Sequence, residues 1–378
     1  MYALRSDGTL IAQTGAGKQA FVSGSLLHRV CCAEKGSFVL RPYNPYKDAI
    51  GLRRSVLTID RDGEVIFRGQ AVDKQEYGVG YVQYTILGDL SFLRDGLIGP
   101  FSFTGSAYSL ISSVLTSYNA QVAAARQIGI GRIAKTGLGV SMSYSQTDSR
   151  SAWDIITGLT DAYGGYLCLR TDSDGSRVLD WLDDSGHFAT QPIVWGDNLL
   201  SLTVREDATK IANSIQATDG DALDVLVEDA DSIARYGRVR IARRYTASTS
   251  TELRALAQAD LEAGRAAALQ ISGQALDKWA RGFEPFRAGD FAHTVSGLHR
   301  IDEWILISEL KRDLTRPSYV QVTLGQMPQS IERTERSGVI NTWIAGRSGR
   351  TPATQYAIDA NGAHAVDANG AYAVAEGE

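Results

Sequence analysis

Cysteine is scarce in this chain: three in 378 residues, Cys31 and Cys32 adjacent and Cys168 far along the sequence. No Cys-x-x-Cys spacing occurs, which excludes zinc ribbons and thioredoxin-like motifs. The thiols read as small, strand-buried hydrophobes in a chain made in a reducing cytoplasm. Histidine is also thin. The five residues (His28, His187, His293, His299 and His364) form no HExxH or paired spacing. Only His293 and His299 lie near one another, across Ser296-Gly297, and that reads as a hairpin connection rather than a metal pair. Long apolar runs are missing too. The longest, such as Trp304 to Ile307, are strand-length, so no bilayer span and no membrane anchor is expected. The opening MYALRSDGTL lacks the basic-then-apolar pattern of a secretory signal. A net charge of -5 gives no bulk electrostatic drive toward nucleic acid or membrane.

Catalytic motifs fail one after another. Gly15-Ala16-Gly17-Lys18 resembles the end of a phosphate-binding loop, but Ala12 and Gln19 stand where Gly and Ser or Thr are needed. No G-x-S-x-G elbow occurs, and no Cys/His pair has a recognisable local signature; nothing nominates a hydrolytic triad. Asp180, Asp183 and Asp184 could in principle supply a glycosidase-type pair. They read instead as solvated carboxylates at a strand end and turn. Asp172, Asp174 and Gly175 imitate part of a calcium loop, but Arg170 and Trp181 occupy its end positions. Asp367, Asn369, Gly370 and Glu376 fit another, yet Ala365 leaves its first ligand missing. No catalytic residue, metal ligand or cofactor is nominated.

What remains is an ordinary globular composition, 44% hydrophobic and 21% charged, long enough for two to four domains. The first hundred residues read as β-rich. Ser55 to Arg61 and Glu64 to Gly69 flank Asp62-Gly63, a hairpin signal, and Tyr81 to Leu87 alternates as a half-buried strand. Apolar spacing predicts one helix over 104–123 and a second over 151–163, the latter stopped by Gly164-Gly165. Tyr166 to Arg170 and Arg177 to Leu182 predict a hairpin around Asp174-Gly175. Strands follow at Ser201 to Val204 and Ala212 to Ala217. A helix opened by Thr249 and Glu252 carries the stripe Leu253, Ala257, Leu261, Gly264 and Ala268. Strands resume at Phe291 to Val295, Trp304 to Leu310 and Tyr319 to Leu324. Trp153, Trp181, Trp195 and Trp304 look placed for cores. Residues 357–374 repeat an eight-residue unit twice, with Ala-Asn-Gly in each copy; two copies are too few for a solenoid.

The fold class expected is therefore α+β and β-rich: two small antiparallel β-barrels with α+β material between and inserted. The boundaries are 1–98 for the first barrel, 99–196 for an α+β domain and 197–326 for a second barrel interrupted by a helical segment at about 220–285. Residues 327–378 form a C-terminal extension.

One stretch is unlike an ordinary loop. GSFVLRPYNPYKDAI, residues 36–50, sets two prolines and two tyrosines within five residues. Each proline fixes φ and lacks a donor, so the strand must stop. Each tyrosine can bury a ring and keep its hydroxyl wet. Together with SVLTIDRDGEVIFRGQAVD, this stretch resembles the N-terminal part of the phage tail hub, or tail-associated lysin (prophage tail endopeptidase), family of long-tailed phages. Pro42, Asn44, Pro45, Tyr46, Phe67, Arg68 and Gly69 fall on that family's pattern. LGDLSFLRDGLIGPFSFTG, GGYLCLR, LDWLDDSG, QPIVWGDNLLSL, FRAGDFAHTV and RPSYVQVTLGQ continue it in order, so the resemblance covers roughly residues 1–326.

The resemblance implies a virion protein at the distal end of a siphovirus-type tail, made in the host cytoplasm. It implies a homotrimer that sets six barrels in a ring on the tail tube, with DNA or tape-measure protein passing the lumen without specific binding. Pro42, Tyr43, Pro45, Tyr46, Phe67, Arg68 and Gly69 become structural or interface candidates. The departure lies at the C-terminus, where about 50 residues follow Gly325, too few for an ordinary enzyme domain. The expectation is a non-enzymatic hub whose extension docks on a tail fibre or central tip protein. A peptidoglycan hydrolase or peptidase, a carbohydrate-binding tail-tip module, and a hub from a contractile tail or injection device are the competing readings.

Overall fold

In the computed structural model, residues 1–135, 142–163, 165–172, 176–220, 222–245 and 249–325 are described. The Asp174-Gly175 turn, Gly164, the C-terminal extension and its Ala-Asn-Gly repeat lie outside them.

The chain opens with β1 (Tyr2–Ser6), β2 (Thr9–Gln13), β3 (Ser23–Arg29), β4 (Lys35–Leu40), β5 (Leu57–Arg61), β6 (Glu64–Tyr77) and β7 (Tyr81–Gly88). Their alternate residues, Tyr2, Leu4, Phe38, Leu40, Leu57, Ile59, Phe67, Val82, Tyr84 and Ile86, converge on one core, as period-two patterning requires. Asp62 and Gly63 both take positive φ in the β5–β6 turn, the conformation that a tight hairpin needs.

A second core is built by β8 (Leu97–Ile98), β9 (Phe101–Gly105), α1 (Ala107–Asn119), β10 (Gly129–Ile133), β11 (Met142–Gln146), β12 (Arg150–Ser151), α2 (Ala152–Tyr163), β13 (Tyr166–Thr171) and β14 (Arg177–Leu182). The first helix is shorter than its apolar spacing predicts. Residues 101–105 pair with β11 instead, and Ser106 starts the helix by accepting a hydrogen bond from the Ser109 amide at 3.1 Å. Its buried face is Ala107, Leu110, Ile111, Val114, Leu115 and Tyr118. Ser151 caps α2 in the same way, accepting from the Asp154 amide at 3.1 Å. Asp180 is not the solvated carboxylate that its strand position suggested. It is buried on β14 beside β10, accepts from the Arg132 amide at 2.7 Å and pairs with Arg170 at 2.9 Å. Gly131 makes room for it, since a side chain there would collide with the carboxylate.

The third core follows from β15 (Ile193–Val194) and β16 (Leu199–Asp207) and resumes at β20 (Ala268–Leu276), β21 (Phe291–Ser296), β22 (Ile301–Asp313) and β23 (Tyr319–Gly325). Between β16 and β20 stand β17 (Ser214–Thr218), β18 (Asp224–Glu228), α3 (Ala230–Tyr236), β19 (Arg240–Arg244) and α4 (Ser250–Gly264). These close a separate small core in which Leu253, Ala257 and Leu261 of α4 cover Ile215, Ala217, Val225 and Val227. Two expectations shift here. The strand predicted at 212–217 belongs to this inserted sheet, order β18-β17-β19, and not to the surrounding β unit. The helical stripe ends at Gly264, which lies against Ala212, and Ala268 is already in a strand. Trp153 and Trp181 are core residues, but Trp195 is 41% exposed.

The strands of the two larger β units form one sheet path, β16-β20-β23-β22-β3-β4-β7-β6-β5-β1-β2. Among the described residues it is open, and neither unit closes into the expected barrel. The join is β22, whose second half pairs with both β23 and β3, Glu309 opposite Arg29 and Asp313 opposite Ser25. Leu314 then enters the first core, where Gly24 leaves room for it. The fold is α+β, strand-rich and mostly antiparallel. No helix among the described residues is long and apolar enough to cross a membrane.

Candidate assembly surface

The corner after β4 is held rigidly. Asn44, buried, donates from Nδ2 to the Ile11 carbonyl at 3.0 Å and accepts from the Tyr46 amide through Oδ1 at 2.8 Å. Backbone turns follow, with the Lys47 amide on the Asn44 carbonyl at 3.2 Å and the Ala49 amide on that of Tyr46 at 3.0 Å. The prolines end the ladder, so the chain folds back on itself through these short bonds.

The corner packs against the far end of the β6–β7 hairpin. Tyr84 Oη donates to the Lys47 carbonyl at 2.6 Å, and burial raises the Tyr84 pKa above its ordinary value. Lys74 Nζ bridges Asp48 at 2.7 Å and Glu76 at 2.9 Å. The Lys74 hydrogen bond lowers the Asp48 pKa, and its two acidic partners raise that of Lys74. At the hairpin tip, a side chain at Gly80 would touch Pro42. Gly78 and Gly80, both at positive φ, turn the tip so that Val79 projects at 85% exposure. Tyr77 and Tyr81 stack beneath it, centroids 6.0 Å apart. Tyr43, 58% exposed, and Tyr46 extend the apolar surface along the corner.

Pro42 thus lies against the tip that carries Tyr77, Val79 and Tyr81, and Tyr43, Pro45 and Tyr46 follow it along the corner. Phe67, Arg68 and Gly69 lie elsewhere on β6. Phe67 is buried in the first core. Arg68 ties that unit to the second core, pairing with Asp89 at 2.9 Å and donating to the Ala125 carbonyl at 2.6 Å. A side chain at Gly69 would fall on the Leu87 carbonyl. Tyr-Gly-Val-Gly-Tyr at 77–81 carries a turn signal in the sequence, but nothing local to it points to Pro42.

The second β unit has a comparable tip. Leu298, 75% exposed, projects from the turn between β21 and β22, beside the edge-to-face pair of Trp195 and His299 at 6.1 Å. The two histidines nearest in sequence take separate partners: His293 meets Asp302 at 2.8 Å and stacks on Trp304, and His299 meets Ser296 at 2.8 Å.

No protein-family model matches the chain, and no curated protein matches it. Solved structures do. The 43 kDa tail protein of prophage MuSo2 from Shewanella oneidensis aligns with a TM-score of 0.65 at 13% identity, over 91% of this chain and 99% of that one. The tail protein from Neisseria meningitidis MC58 gives 0.62 at 14% identity, over 85% and 95%. Prophage tail protein gp18 from Listeria monocytogenes EGD-e gives 0.55 at 12% identity, over 88% and 97%. At such identities the likeness is one of fold, and it runs nearly the full length of each of those proteins.

Proposed function

We propose that this chain is a non-enzymatic structural protein of a phage or prophage tail, a hub that closes or extends the tail tube at its distal end. The observation that carries the reading is the end-to-end fold likeness to the MuSo2 tail protein. In this reading residues 1–98 and 197–326 are the two hub units, 99–196 an α+β spacer, and 327–378 the tether to a fibre or central tip protein. Assembly is a homotrimer seated on tail-tube proteins, its lumen passing DNA or tape-measure protein without a specific site.

The two apolar tips support self-assembly. One chain offers two unlike patches, Tyr43, Tyr46, Tyr77 and Val79 on one unit, Trp195 and Leu298 on the other. Unlike patches meet heterologously, and heterologous contacts close rings when the rotation allows. Solution mass of the full chain, alone and with its neighbouring tail proteins, tests this. Trimers or a ring are expected, and Tyr46→Ala should weaken the ring more than it lowers the chain's own Tm. A chain that stays monomeric with every tail neighbour, or that clears host cell walls in zymography, would overturn the reading.

A further inference from the structure

A cavity of about 270 Å³ opens where the first three cores meet, lined by Arg61 and His28 from the first unit, Asp89 and Arg177 from the second, and Arg312 from the third. Its walls carry surplus positive charge. Asp277 is shared by Arg312 at 3.1 Å and Arg61 at 3.5 Å, all three side chains buried. Asp89 is shared by Arg177 at 2.8 Å and Arg68 at 2.9 Å. In each trio one carboxylate faces two guanidinium groups. Of the remaining lining charges, Arg29 pairs with Glu309 at 2.5 Å and Arg287 with Glu64 at 3.2 Å, while the Glu34 carboxylate, 3.1 Å from His28 Nδ1, offsets part of the surplus. Glu64 lies 3.9 Å from Arg61, beyond hydrogen-bond reach, and is itself shared with Arg287.

Four polar atoms of the lining residues are buried without a hydrogen bond: Arg61 Nη1, His28 Nε2, Asp89 Oδ1 and Arg177 Nε, of which the first and last face Asp277 and Asp89 as ion pairs. An orphaned buried polar group is costly, and an uncompensated buried cation more so. The first can only donate and the third, when ionised, only accepts. Water alone would satisfy hydrogen bonds but leave the surplus charge. An oxyanion bearing a proton supplies acceptors, a donor and negative charge together. Size agrees: pockets for drug-sized ligands start at about 300 Å³, whereas a water takes about 30 Å³, so this space suits a small ion and a few waters.

We propose that this junction cavity binds a small oxyanion of the phosphate class, which ties the three cores together. Inorganic phosphate should raise the Tm of the full chain saturably, by about 2 °C or more at a concentration well above its Kd. Sulfate at matched ionic strength carries no proton for Asp89 at neutral pH and should give less, although both ions are general stabilisers. Arg177→Gln removes one surplus charge at a half-buried position and should abolish the phosphate-specific increment. Calorimetric titration of phosphate into the unaltered protein reads binding directly, whatever the variant's stability. Equal Tm shifts in phosphate and sulfate, or no saturable heat with phosphate, would overturn the proposal.

Discussion

The Arg61 guanidinium stands 3.5 Å from the Asp277 carboxylate, and both side chains are almost wholly withdrawn from solvent. Arg61 ends β5 of the first unit, while Asp277 directly follows β20 of the other. Their meeting, with Arg61 lying over the Trp279 ring at 4.9 Å, joins the two β units in addition to the β3–β22 pairing. Burial and then the neighbouring Arg312 hold the Arg61 pKa below its ordinary value. The arginine is therefore the costly member and the aspartate the one that cannot be spared.

From this follows an unequal response to mutation. Asp277→Ala leaves two buried guanidinium groups facing one another and should cost about 3–5 kcal/mol. Arg61→Met leaves Asp277 its Arg312 partner and should cost much less. Urea unfolding of both singles and the double tests it: the double should lose less than the sum, because Arg61→Met relieves the repulsion that Asp277→Ala exposes. Simple additivity would sink the account.

Two glycines of one hairpin should answer differently to alanine. At Gly69 the new methyl would meet the Leu87 carbonyl, so β6 and β7 must separate, and the loss should exceed about 2 kcal/mol, as overpacking does. At Gly63 nothing stands within 4 Å; only the positive φ of 92° resists, worth about 1 kcal/mol. Thermal unfolding of the pair should rank Gly69→Ala well below Gly63→Ala.

Local patterning made much of the fold legible. The Asp62-Gly63 turn, the α1 face and the β13–β14 pair stand where spacing put them, because each depends on neighbours within a few residues, whereas Tyr163, which shares the spacing of the buried α2 face, is 40% exposed. Long-range pairing was not legible. Nothing local to Arg29 or Glu309 marks β3 and β22 as partners, and so two separate barrels were expected where one open sheet path runs. Asp180 misled because its burial depends on Gly131 of another strand. Of the surface, Pro42 to Tyr46 stood out by composition, whereas its continuation onto Val79 depends on tertiary packing. The convergence of Cys31, Cys32 and Cys168 on one cavity was equally invisible from their spacing.

That convergence sets up a reactivity test. Burial first, and then the charge of Asp180, push the Cys168 thiol up to about 11. Only the thiolate alkylates at a useful rate, and each pKa unit means about tenfold less of it near neutrality. At pH 7.5, maleimide or iodoacetamide should label Cys168 in the folded protein about a hundredfold more slowly than in the urea-unfolded chain. Peptide mapping by mass spectrometry resolves it from Cys31 and Cys32. Equal labelling rates before and after unfolding would contradict the burial described.

The last prediction concerns pH. His187 lies between Asp290, 3.1 Å from Nδ1, and Glu284, 3.2 Å from Nε2. The Asp290 carboxylate chiefly raises its pKa above the ordinary 6.5, with desolvation and Arg287 opposing. A base with a raised folded pKa binds its proton more tightly when folded, so protonation stabilises the native state. That contribution is complete below about pH 6.5, the unfolded value, and disappears as pH rises through the higher folded one. Because the ring is 38% exposed, solvent screening keeps the effect small. The wild-type Tm should therefore fall between pH 6.5 and 8.5 more than that of His187→Gln, the two curves drawing level at the alkaline end after correction for their offset. A His187→Gln curve that kept the full wild-type slope would assign the pH dependence to another group.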